Sequence, residues 1–442
     1  MSQSLKSGSL GLVGAATLGV VMLSPAMTLY ANFGAAYATA GHAAPLAFVW
    51  ALLATLPTAC SYALLSRERP EAGSAAAWTA AFAPRVARWV GWMVFLYYLT
   101  NFVLQPVTLG LFLGDLAGGG LATYCLGALL CCAVPAAIAY RGIRPSSEGA
   151  LAFLVFEAVV VTALCVTVAV AAPSLDARGF RVPEAGTSGL FKAIVFAMLS
   201  YCGFDVISTL AEEAKMARRL IPQATFLALG TFGFLIIAGI WALTFSDRPG
   251  ALSEIVSQDG IPIGQIARKF WGRGSALVDL TGVSAALGIA IATAVGASRT
   301  LFSMGRGGLA PRAFAALRNQ VPWNAMHVVF GAGFAGAVIA GIAAGPWRAY
   351  LWWGTTATFF AMITFIFVNL ANLVLHRGSG LLLHGLVPVA GIAVDGYILW
   401  RSFVVEQWAQ GALGRSAIAF DVACALMALL ALWRREPAVA PA

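Results

Sequence analysis

"MLSYCGFDVISTLAEEAKMARRLIP" (residues 198–222) begins as apolar sequence fit for a bilayer and ends as a charged loop. Inside the apolar part, Gly203 is followed by Phe204 and then by an acid, Asp205. A carboxylate at membrane depth is expensive unless it has a partner, and such residues mark ion or substrate paths. Lipid supplies no hydrogen bonds, so a spanning helix unwinds only where its freed backbone groups face protein, water or a ligand. Glycine tolerates conformations that other residues resist. The stretch therefore predicts a helix that breaks in mid-membrane at a functional site.

A matching interruption lies near the start of the chain, in "GVVMLSPAMTLYANFG" (19–34). Pro25 has no N–H and cannot close a helical ladder, and Ser24 can bond locally to the carbonyls this frees. Between the two breaks, and beyond them, apolar runs long enough to cross about 30 Å of hydrocarbon recur throughout the 442 residues. The chain is 60% hydrophobic and only 10% charged, with a mean hydropathy of +0.85, which excludes an ordinary soluble domain. Twelve spans are predicted, near 9–33, 44–66, 89–114, 120–140, 150–172, 188–211, 223–245, 276–303, 325–345, 349–375, 380–401 and 416–433. The first run is longer than a secretory leader's apolar core and is read as a retained span.

The breaks fall in the first and sixth spans, five apart. Two five-helix halves of opposite topology pair broken helices in this way at the bilayer midplane of secondary transporters. With an even span count and the N-terminus inside, the inner segments hold 17 of the 27 Lys and Arg, among them Lys6, Arg377, Arg434 and Arg435. That bias predicts cytoplasmic termini. It also accounts for the +9 net charge without a nucleic-acid partner, because the cations are scattered over many short loops. Seven cysteines, all within predicted spans, read as small packing residues. Neither they nor the four histidines show metal-ligand spacing, and no cofactor is expected. HExxH, Gly-x-Ser-x-Gly and Walker patterns are absent from the sequence, so no enzyme is expected.

Four blocks carry a family resemblance: "SYALLSRERPEAGSAAAWTAAFAPRVARWVGW" (61–92), "GFDVISTLAEEAKMARRLIPQA" (203–224), "ASRTLFSMGRGGLAPRAFA" (297–315) and "FVNLANLVLHR" (367–377). In this order they resemble the amino acid–polyamine–organocation transporters. "LSP" in the first span and "VPVAGIAVDGYILW" (387–400) resemble the bacterial putrescine importer branch. The resemblance implies an all-α membrane protein of twelve helices, ten of them in a five-plus-five inverted repeat. It also implies alternating access, usually driven by protons, in a bacterial inner membrane. On this reading residues 1–434 form one transmembrane domain, with 9–172 and 188–375 as the repeats, 380–433 as two extra helices and 435–442 as a cytoplasmic tail. The expected substrate is a small amine such as putrescine. An amino acid permease or amino acid–amine exchanger is the alternative within transport, and a non-transporting membrane receptor the alternative outside it.

The expected site follows from the two breaks. It comprises Leu23, Ser24, Pro25, Ala26 and Met27 in the first span, and Tyr201, Cys202, Gly203, Phe204 and Asp205 in the sixth. Tyr98 of the third span and Ser284 of the eighth complete it. Relatives that carry amino acids commonly hold the substrate carboxylate on exposed amides of a Gly-Ser-Gly-like stretch in the first helix. Here "LSPAM" replaces it and Pro25 removes a donor, which favours an amine. Tyr98, Tyr201 and Phe204 can offer π faces to ammonium groups, and Asn101, Gln105 and Thr355 are further polar liners. Asp205 has two readings: contact with substrate or proton, and a fixed brace for the unwound segment. Glu157, deep in the fifth span, also has two. It stands near the level of a coupling lysine in some relatives, and it is equally well read as a protonated acid bonded between helices. Asp395 and Asp421 lie in helices outside the repeat and are expected off the transport path. The charges after the sixth span, Glu212, Glu213, Lys215, Arg218 and Arg219, and after the second, Arg67, Glu68, Arg69 and Glu71, have two readings: solvated loop and topology charges, or opposite charges that pair in one state and separate in another as an inner gate.

Overall fold

The computed structural model describes residues 8–116, 120–171, 176–182, 187–245, 252, 262–409 and 411–430. Lys6, Arg434, Arg435, residues 431–433 of the last predicted span, the tail 435–442 and most of the first half of the 246–275 connection lie outside them. Twelve spans among the described residues are long and apolar enough to cross a membrane, and no sheet is present among them. The expected all-α architecture, with its five-plus-five inverted repeat and two further helices, holds.

The first span runs Leu12–Leu23, restarts at Pro25–Met27, widens into a π turn at Thr28–Asn32 and ends as Phe33–Ala40. The second to fifth are continuous: Ala44–Glu68, Pro84–Leu116, Leu121–Ala139 and Ile143–Ala171. The sixth is α-helical over Ser188–Ser200 and resumes only as a tight 3-10 helix over Phe204–Leu210. The seventh to tenth span Ala217–Thr244, Ala276–Arg306, Trp323–Ala344 and Pro346–Leu375. The eleventh contains π turns at both ends of Val387–Leu399, and the twelfth is Ala412–Leu430. A short helix, Pro262–Trp271, precedes the eighth span; it was not expected within that connection.

Burial sorts the spans into centre and rim. The most apolar window of the eighth span is 83% buried and that of the first 78%, against 22% for the eleventh and 28% for the twelfth. The first, third, sixth and eighth spans thus form the centre, and the eleventh and twelfth the rim. The two breaks also lie directly against each other. A Cβ on Gly19 would come within 2.5 Å of Ile207 in the sixth span, so a smooth groove on the first span is what admits its partner. Outside the membrane-spanning part the same two elements are joined again. Leu10 N donates to Glu213 O at 3.0 Å, and Lys215 N donates to Leu10 O at 2.9 Å.

Candidate functional site

Ser24 is the hinge of the first span. Its amide still closes the preceding turn onto Val20 O at 2.9 Å, but its backbone turns to φ 45°, ψ 105°. The chain then restarts with Pro25 at the first helical position, where a missing N–H costs nothing. The amides left bare are therefore those that open the second half-helix. Ser24 Oγ accepts from Met27 N at 3.2 Å as an N-cap. Ala26 N donates to Glu157 Oε1 at 2.6 Å, and Ser24 Oγ donates to the same oxygen at 2.8 Å. This corrects the expectation that Ser24 would serve freed carbonyls. The break exposes donors at the restart, and its hydroxyl is spent on an amide and a carboxylate. One turn on, Thr28 is buried and its hydroxyl has no hydrogen-bond partner among the described residues.

In the sixth span the helix ends at Ser200, and Gly203 adopts φ 131°, a region that favours glycine. A Cβ there would also stand 2.8 Å from Met22 Cγ and 3.2 Å from the Met22 carbonyl carbon. Only a hydrogen fits between the two breaks. The 3-10 turn that follows carries Asp205, which is 1% exposed. Its Oδ1 accepts from Tyr97 Oη at 3.1 Å and its Oδ2 from Tyr98 Oη. Two phenols of the third span thus clamp the acid, a charge-assisted arrangement. Its backbone carbonyl accepts from Ser208 Oγ at 2.6 Å, and Ser208 shares a 2.7 Å hydrogen bond with Ser74. Across the breaks, Asn32 Nδ2 donates to Ser200 Oγ at 2.8 Å.

The remaining candidates divide by where they point. Phe204 is fully buried in an aromatic nest with Tyr62 and Phe365, and Cys202 Sγ leans on Met198 O at 3.6 Å. Leu23 is buried and Met27 half-buried against the same core. Tyr201 is turned toward the second and seventh spans: its hydroxyl donates to Phe48 O at 3.1 Å and its ring meets Phe232 edge-on. Ser284 Oγ donates to Phe153 O at 3.1 Å, tying the eighth span to the fifth. Gln105 Nε2 bonds Asn101 within the third span, and Thr355 bonds its own helix. Tyr97, Tyr62 and Asn32 were missed; the doublet Tyr97-Tyr98 was the available signal for the first.

The solvated reading of two acids is overturned. Glu212 and Glu213 are not solvated loop charges. Glu213 forms a two-point ion pair with Arg299 of the eighth span, both side chains 2% exposed. Glu212 pairs with Arg306 at two points and accepts from Ala72 N at 3.2 Å. The partners come from the eighth span, whose length beyond the apolar core carries its arginines over the end of the sixth. Asp395, expected off the transport path, is 1% exposed and accepts from Thr58 Oγ1 at 2.9 Å and Asn369 Nδ2 at 3.0 Å.

A twelve-span bundle whose first and sixth helices break face to face, each break holding a buried acid, defines a secondary transporter, not an enzyme. The chain belongs to the amino acid permease family, whose model matches residues 18–380. Among its relatives, the low-affinity putrescine importer PlaP of Escherichia coli K12 is 28% identical over 317 residues, covering 69% of this chain and 68% of that protein. The branched-chain amino acid permease BcaP of Bacillus subtilis is 26% identical over 299 residues, 63% of each. The methylthioribose transporter of B. subtilis is 26% identical over 391 residues, 82% of this chain and 80% of that one. A mutant form of the Eremococcus coleocola manganese transporter superposes with a TM-score of 0.67 over 98% of this chain and 99% of that one at 10% identity, a likeness of fold alone.

Proposed function

We propose that this permease imports a small organic amine of the putrescine type by alternating access, with proton coupling, across a bacterial inner membrane and with both termini cytoplasmic. Residues 9–172 and 188–375 act as the two repeats and 380–433 as a scaffold outside them. The observation that carries the amine reading is the 2.6 Å bond from Ala26 N to Glu157. The amide that relatives offer to a substrate carboxylate is held here by a carboxylate of the protein, while Pro25 lacks an amide altogether. A zwitterion's carboxylate would have to displace Glu157 and would meet its charge. A diamine meets two acids, Asp205 and Glu157, and needs no anion cradle. Asp205, clamped by Tyr97 and Tyr98, serves as the ammonium or proton acceptor. Ser24, Ala26, Gly203 and Phe204 shape the space between the breaks.

Inward opening requires the buried Glu213–Arg299 pair to part or to travel with the elements it joins. Amino acid transport is the second reading, favoured by the family model and by the branched-chain relative.

The test is uptake of labelled putrescine into proteoliposomes under an imposed acid-outside gradient. Uptake should collapse with a protonophore, and Asp205→Asn should abolish transport while preserving folded yield. Faster uptake of leucine or another zwitterion than of any diamine would overturn the amine reading. Putrescine uptake indifferent to the gradient would remove the coupling.

A further inference from the structure

A cavity of about 440 Å³ opens at the end of the bundle where the first span begins, about three helical turns from the break at Ser24. Four segments that are remote in sequence wall it. Gly8 and Ser9 lead into the first span, 141–145 open the fifth, Glu213 and Lys215 follow the sixth, and Asn319 and Gln320 precede the ninth. Its charge is one-sided. Arg141 and Lys215 form no ion pair among the described residues. Arg144 also faces the cavity and is held by Glu148 at 2.8 Å. Among the described residues the one acid in the wall is Glu213, and Arg299 takes both of its oxygens. Positive charge gathered in a concavity focuses the potential and draws an anion.

The turn on the far wall is held open at a cost. Arg318 N donates to Val321 O and Val321 N to Arg318 O, each at 3.0 Å. Between them Asn319 and Gln320 adopt φ 51° and 61°. A two-residue turn of this kind favours Asn followed by Gly. Gln320 stands in the glycine position, a strained one for an L residue, and keeps a carboxamide in the cavity wall. Residues held in such backbone regions collect at ligand clamps.

The donors suit a phosphate. An arginine fork matches two phosphate oxygens at once and a lysine adds a mobile point charge, while carboxamides donate N–H without adding charge. A single water needs about 10–15 Å³ of such space, so the cavity has room for a phosphate and an organic group attached to it. Lys215 also sits on the joint between the broken spans, because its amide donates to Leu10 O at 2.9 Å. An anion shared by Lys215 and Arg141 therefore ties that joint to the fifth span.

We propose that this cavity binds a phosphate ester, and that occupancy fastens the first and sixth spans to the fifth and ninth and holds this end of the bundle closed. A soluble phosphate ester and a phospholipid headgroup share the chemistry required. Binding does not depend on the amine reading; only its effect on transport rests on alternating access.

The experiment uses the full chain in phosphatidylcholine nanodiscs and reads amide hydrogen exchange, which reports local opening. Inorganic phosphate and glycerol phosphate are titrated against chloride at constant ionic strength. Phosphate should slow exchange saturably at residues 8–10, 213–215 and 319–321 of the wild type, and chloride should not. Arg141→Gln and Lys215→Gln change exposed positions and spare the fold. Each should weaken the phosphate effect by about tenfold, the loss of one charge-assisted hydrogen bond. Replacing part of the lipid with phosphatidylglycerol separates the two sources. Protection there without added phosphate, lost in both variants, assigns the site to a headgroup; protection by the soluble probes alone assigns it to a soluble ester. Exchange that neither the probes nor phosphatidylglycerol slow, or slowing that both variants retain in full, overturns the proposal whether or not the protein carries amines.

Discussion

Glu157→Ala and Glu157→Gln together test the occupied cradle. In the wild type, one carboxylate oxygen accepts from both Ser24 Oγ and Ala26 N. Alanine orphans both donors in a site where Glu157 is 2% exposed. Leaving a buried donor unsatisfied costs about 1–3 kcal/mol, so the pair costs about 2–6 kcal/mol before any water enters. Glutamine keeps an acceptor oxygen and loses only the charge assistance, about 1 kcal/mol per bond, partly offset by removal of a buried charge. Unfolding midpoints in detergent should therefore fall in the order wild type, Glu157→Gln, Glu157→Ala.

The same samples report ligand class. A ligand that binds only the folded state at 100 times its dissociation constant stabilises by about 2.7 kcal/mol. Diamines should raise the wild-type midpoint and zwitterions should not. In Glu157→Ala, where the Ala26 amide is free, zwitterions should gain a stabilising effect. Equal melting of the two variants, or a wild type stabilised as strongly by a zwitterion as by a diamine, refutes the reasoning.

Gly203→Ala should cut transport sharply and destabilise by about 1–3 kcal/mol, because the backbone is left-handed and the new methyl meets Met22; an uptake rate within twofold of wild type would show that the breaks can part freely. Arg299→Met leaves Glu213 buried without a partner and should cost about 3–5 kcal/mol, while the double variant with Glu213→Leu should recover most of it. Thermal unfolding of the single and double variants decides this, and a double variant no better than Arg299→Met contradicts it.

What was legible in the sequence was what lipid forbids. Helix interruptions at Ser24-Pro25 and at Gly203 stand out because a bilayer offers bare backbone groups no partner, so their positions could be read from residue type alone. Their pairing followed from counting spans. Partners set by rotation about a helix axis were not legible. Glu157 had two readings until its register placed it on Ala26 N. Glu213 looked like a loop charge because its partner is 86 residues away in a helix longer than its apolar run. Asp395 stood only as an acid in a helix outside the repeat, with no sign of its partners Thr58 and Asn369. Thr and Asn usually bond their own helix and give no signal in hydropathy.

The two backbone bonds between Leu10 and the segment Glu213–Lys215 have a mechanical consequence. They lash the entrance of the first helix to the exit of the sixth, so neither half-helix can swing alone without losing both bonds, about 1 kcal/mol each. Movement of either alone strains this joint, and a bulky fusion placed just ahead of Leu10 would load it directly.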